Sequence, residues 1–82
     1  MGYHKAKIEK GKLGEISKIV EEIEELKDSV DQSCKIMALV ELSDIYGAIE
    51  SYLEVHHPGI TMSDLQNMSN ITKGAFKDGS RR

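Results

Sequence analysis

One cysteine, one proline, one phenylalanine and no tryptophan occur in the 82 residues of this chain. A single cysteine excludes an internal disulfide framework and any zinc site built on several thiolates. Cys34, followed by Lys35, Ile36 and Met37, reads as a small core or boundary residue of a helix. Its free thiol agrees with a reducing compartment. No apolar run approaches the roughly 20 residues that span a bilayer. The first twelve residues are charged and lack the apolar stretch of a secretory signal. These absences predict a soluble, cytoplasmic protein with no membrane partner. A formal net charge of -3 lacks the basic footprint of a nucleic-acid binder.

The charge that is present is segregated. Acid concentrates between Glu21 and Asp31, and base concentrates at Lys5 to Lys12 and Lys73 to Arg82. Such a layout suits a ligand carrying both cations and phosphates, and it also suits an ordinary solvated helix. The length allows one domain, residues 1–82, with a basic N-terminal segment over 1–12 and a polar tail over 77–82. A domain this small buries a modest share of its surface, so a metal or a partner subunit is expected to complete it.

Apolar residues at Leu13, Ile16, Ile19, Val20, Ile23, Leu26 and Val30 recur at helical spacing. Asp31 or Ser33 is expected to cap a second helix, running from about Ser33 to His56. That helix is apolar nearly all round, which calls for burial on several sides. Three short helices cannot supply enough cover, so oligomerisation is expected. His56-His57-Pro58-Gly59 ends it, and Thr61 or Ser63 can cap a third helix bearing Met62, Leu65, Met68 and Ile71. The predicted fold class is all-α: a small bundle of two long antiparallel helices plus a C-terminal helix. Met37, Met62 and Met68 read as core or subunit packing, and His56 and His57 as helix-terminus residues.

On a wheel of roughly 100° per residue, Lys18, Glu21, Glu22 and Glu25 share one arc beside the first apolar stripe. In the second helix Glu41 and Asp44 fall amid Met37, Ala38, Ile45, Ala48 and Tyr52. Two carboxylates set into an apolar face need a cation, because burying unpaired charge costs several kcal/mol. Folding the two helices back on one another can converge Glu21, Glu22, Glu25, Glu41 and Asp44. Oxygen-only ligands select magnesium or manganese over zinc or copper. Salt bridges to Lys18, Lys27 or Lys35 are the alternative answer to the same charge.

These residues resemble the MazG-like branch of the all-alpha nucleoside triphosphate pyrophosphohydrolases. Glu21-Glu22-Ile23-Glu24-Glu25 is similar to the family's EExxE, and Glu41-Leu42-Ser43-Asp44 to its ExxD. Lys18 ahead of Glu21-Glu22 gives the related K-x-x-E-E, and Ala75-Phe76-Lys77-Asp78-Gly79-Ser80-Arg81 looks like the family's A-F-x-x-G-x-R ending. The likeness runs from about Leu13 to Arg81. It implies chains that pair as homodimers or homotetramers and cleave a nucleoside triphosphate to the monophosphate and pyrophosphate. It also implies that Glu22, Glu25, Glu41 and Asp44 hold magnesium, with Glu21 a further ligand or the orienter of the nucleophilic water.

The expected chemistry is metal-assisted attack of water on the α-phosphorus, with Glu22 or Glu25 helping to deprotonate that water. Lys18 is a candidate phosphate contact or a salt-bridge partner of Glu21 or Glu22. Arg81, with Lys73 or Lys77, is a second candidate for phosphate, or a solvated tail. Tyr3, His4, Tyr46 and Tyr52 are the candidates for stacking on a base, with buried packing the expected role of Tyr46 and Tyr52. Two rival functions share the fold: a non-catalytic nucleotide-binding module, and a helical protein-interaction module with a solvated acidic face.

Overall fold

The computed structural model of the protein describes residues 7–77, with side chains to residue 74. It consists of three helices, α1 (Ile16–Asp31), α2 (Lys35–His56) and α3 (Met62–Lys77). No strand occurs among the described residues. α1 starts later than the periodicity from Leu13 suggests, because Gly14 has φ +91 and turns the chain just before it. A Cβ at Gly14 would lie 2.8 Å from Val55 Cγ2, so the glycine also permits close approach to the end of α2.

α1 ends in a Schellman motif. The Cys34 N–H donates to the Ser29 carbonyl at 3.1 Å, and the Ser33 N–H donates to the Val30 carbonyl at 2.9 Å. The left-handed position that usually holds glycine is filled by Ser33, at φ 58. Ser33 is thereby spent on ending α1, and Asp31 is still inside it. The N-cap of α2 is Cys34, with no side-chain cap hydrogen bond. Neither expected residue caps α2, and Cys34 is a half-buried boundary residue rather than a helical one.

This tight reversal lays α2 back along α1. At the far end Glu15, before α1, meets His56, the last residue of α2, with Nε2 3.1 Å from Oε1. α3 follows the Pro58-Gly59 break. Its N-terminus is a reciprocal capping box: the Asp64 N–H donates to Thr61 Oγ1 at 3.2 Å, and the Thr61 N–H donates to Asp64 Oδ2 at 2.8 Å. Thr61 is therefore the cap that its sequence position suggests. α1 and α2 pack along their length, whereas α3 touches the pair only slightly.

The α1–α2 seam is polar where a hydrophobic stripe would be ordinary. Buried residues of α1 are Glu21, Glu22, Asp28 and Ser29; those of α2 are Glu41, Ala48 and Leu53. Of the apolar stripe of α1, Ile19 and Leu26 are half-buried at the edge of the seam, while the rest faces outward, with Ile16 60% and Val30 60% exposed. α2 likewise exposes Ile36, Leu39, Val40, Leu42 and Tyr46, which corrects the expectation that Tyr46 is buried. Tyr52 is half-buried and stacks at a tilt on His56, with ring centroids 4.5 Å apart. Met37 and Met62 are half-buried, and Met68 is exposed. Ala48 and Leu53 are the buried apolar residues among those described.

The single chain is consequently open. Its accessible surface is 6254 Å², against about 4,900 Å² for a compact monomer of 9.2 kDa. Its radius of gyration is 15.2 Å, against about 12 Å for a compact fold of this length. No helix among the described residues is long and apolar enough to cross a membrane.

Candidate metal centre

Glu22 and Glu25 lie one turn apart on α1, and Glu41 and Asp44 one turn apart on α2. Folding α2 back along α1 brings all four together. Each offers an oxygen, and these oxygens lie within 4.8 Å of one another. Glu41 is entirely buried and Glu22 is 5% exposed. Glu25 is half-buried, and Asp44 is exposed at the rim. The expectation that both α2 carboxylates are set into the apolar face thus holds for Glu41 and not for Asp44, which gives the cluster an opening to solvent.

Like charges this close repel strongly, and the groups adjust. Burial pushes the Glu25 carboxyl up to about 7; hydrogen bonds with Glu41 and Glu21 and the nearby charges of Glu22 and Glu41 act in the same direction. Near neutral pH Glu25 is thus the carboxyl that shares a proton with its neighbours. Lys18 answers part of the remaining charge. Its Nζ lies 3.0 Å from Glu22 Oε2 and 3.1 Å from Glu21 Oε1. The hydrogen bond to Glu22 holds the ammonium above its ordinary pKa, outweighing burial, with Glu21 contributing in the same direction. Lys27, by contrast, reaches Glu24 at 3.7 Å on the exposed side of α1, and Lys35 is exposed at the start of α2.

A divalent cation fits this set on two grounds. The donors are all carboxylate oxygens, which suit a hard ion. Glu22 Oε1 is buried with no hydrogen-bond partner among the described residues, an expensive state that a ligated ion would relieve.

Glu21 stands apart from the four. Burial alone would raise its pKa, but the Gly11 N–H, Lys18 and Glu25 together hold it below the ordinary carboxylate range. Its Oε1 accepts the Gly11 N–H at 2.8 Å, and Lys10 Nζ is 3.7 Å from Oε2. Basic composition and the turn-forming Gly11 and Gly14 mark the segment before α1 in the sequence, without announcing a contact with Glu21. Gly11 flanked by Lys10 and Lys12, one short turn ahead of an acidic helix, was the signal available there. Lys73 is exposed on α3 and is not brought to the cluster within one chain. The Lys77 side chain, Tyr3, His4 and Arg81 lie outside the described residues.

Comparison with protein-family models, with curated proteins and with solved structures finds no match to this chain.

Proposed function

We propose that the protein is a magnesium-dependent nucleotide pyrophosphohydrolase of the MazG-like kind, acting as a homo-oligomer and cleaving a nucleoside triphosphate to the monophosphate and pyrophosphate. The observation that supports this reading is the meeting of Glu22, Glu25, Glu41 and Asp44 from two helices, with Glu22 Oε1 buried and lacking a hydrogen bond. Magnesium or manganese bound there would neutralise polyphosphate charge and acidify a bound water.

The chain's own groups have separable roles. Glu41 and Glu22, fixed in the seam, hold their oxygens from opposite helices. Glu25, half-buried among the other carboxylates, would be placed to accept a proton from the attacking water. Oxygen then bonds to the α-phosphorus, the bond to the bridging oxygen breaks, and pyrophosphate leaves. Lys18 keeps a positive charge beside Glu22, where an incoming phosphate would share it. Asp44, at the rim, faces the solvent from which substrate arrives.

Exposed apolar side chains on all three helices support self-association. Ile36, Leu39 and Ile71 are 75%, 67% and 73% exposed. Covering one such side chain is worth about 1.5–3 kcal/mol. A second copy would also give α3 a surface to pack against.

The test is a panel of nucleoside triphosphates assayed for released pyrophosphate with and without magnesium, on the parent and on Glu41→Ala. Turnover that needs both magnesium and Glu41, at unchanged helicity and oligomeric mass, supports the reading. Equal rates in the variant and the parent end it. The same exposed apolar faces favour a second reading, a helical module that binds nucleotide or a protein without hydrolysis. Calorimetric binding of a non-hydrolysable triphosphate without turnover of the parent substrate selects that one.

A further inference from the structure

We propose that Glu21 is a positioning residue rather than a metal ligand: it anchors a strap, Lys10 to Lys12, that lies across α1 and forms a basic wall beside the carboxylate cluster. Three main-chain contacts fix the strap. The Gly11 N–H donates to Glu21 Oε1 at 2.8 Å, the Lys12 N–H donates to Ser17 Oγ at 3.0 Å, and the Glu15 N–H donates to the Lys12 carbonyl at 3.0 Å. The approach is backbone to backbone. A Cβ on Gly11 would overlap the Ser17 carbonyl and the Lys18 nitrogen, so no other residue fits there without lifting the strap.

Glu21 is 3% exposed, yet its two oxygens are engaged by Gly11, Lys18 and Lys10. Such a carboxylate has little capacity left for a cation. It also joins the strap to the cluster, since Lys18 spans Glu21 and Glu22. Lys10 from the strap and Lys18 from α1 thereby both lie against Glu21, next to the cluster. Positive charge beside the cluster would attract the phosphates of a cation-bound polyphosphate. The role of this wall rests on the pyrophosphohydrolase reading; the docking of the strap does not.

The experiment combines amide exchange at Gly11 with manganese titration, on the parent, Glu21→Ala, Gly11→Ala and Glu22→Ala. The parent Gly11 amide should be protected. Either strap variant should speed exchange at residues 11 and 12 by about tenfold or more, as expected when one charge-assisted hydrogen bond is lost from a local opening equilibrium. Manganese affinity should change by less than about threefold in both strap variants and fall by roughly a hundredfold in Glu22→Ala. Gly11→Ala keeps every acidic residue, and it should raise KM for a triphosphate more than it lowers kcat. A loss of manganese in Glu21→Ala as large as in Glu22→Ala makes Glu21 a ligand and overturns the proposal. Rapid Gly11 exchange in the parent overturns it independently. A protected Gly11 in a parent that binds no manganese refutes the metal-site reading alone.

Discussion

The two sides of α1 are largely reversed relative to an ordinary amphipathic helix, with Ile19 and Leu26 half-buried between them. The side that meets α2 carries Glu22, Glu25 and Ser29; the side that meets water carries Ile16, Val20, Ile23 and Val30. Helix packing in water normally places the apolar stripe inside. Here the inward side concentrates charge that destabilises the seam, and the outward side holds apolar surface that stabilises nothing until it is covered. On the proposed reading, the inner face would serve a ligand and the outer face a partner. Each can be broken without touching the other.

The largest effect is expected on the inner face. Glu41→Ala should lower turnover by roughly 10²–10³-fold or more, the scale of losing one preorganised electrostatic group. The volume-preserving Glu41→Gln should remove magnesium binding and raise the melting temperature of the metal-free protein, because it relieves buried repulsion. A lower melting temperature for Glu41→Gln without metal would show that the seam is not frustrated.

Next comes the outer face. Ile36→Glu or Ile23→Glu should cost about 1.5–3 kcal/mol of association per site, read as a shift to lower mass in sedimentation. Magnesium affinity per chain should be kept. Should mass be unchanged in both variants, the outward stripes are not the interface.

A smaller effect links metal and pH. Glu25 has a folded pKa of about 7 against an ordinary 4.5. Its protonated form is favoured by folding, so its contribution is fully present below about 4.5 and is lost as pH rises through about 7. The metal-free protein should therefore melt at lower temperature at pH 8 than at pH 5.5. Saturating magnesium should reverse that slope, adding about 2.7 kcal/mol at a hundredfold excess over Kd. Calorimetry in buffers of different ionisation enthalpy should detect protons released on binding near pH 6.5. The smallest effect is the control. Lys27→Ala removes an exposed pair with Glu24 at 3.7 Å, and should change stability by less than about 1 kcal/mol.

The three helices and the convergence of Glu22, Glu25, Glu41 and Asp44 were legible in the sequence, because helical spacing and a short reversal leave few arrangements. The direction of the α1 stripe was not. Periodicity separates two faces of a helix but does not tell which of them meets the neighbouring helix of the same chain. Asp31 and Ser33 both read as caps, since a cap signal is local, while the Schellman reversal that uses Ser33 depends on the chain already turning. The strap was hidden for a related reason. Gly11 looks like any loop glycine until the Ser17 carbonyl is found against it. Glu21 and Glu22 are neighbours in sequence with the same chemistry, and only packing separates the one engaged by the strap from the one turned to the cluster.

The Ser33 reversal bears on how the molecule assembles in time. Residues that build the cluster sit on two helices joined by the three residues Gln32 to Cys34, so chain search contributes little to their meeting. Repulsion between the approaching carboxylates would then weigh more on the rate. Folding of the hairpin should accelerate as ionic strength or divalent concentration rises, even though the loop itself is already short.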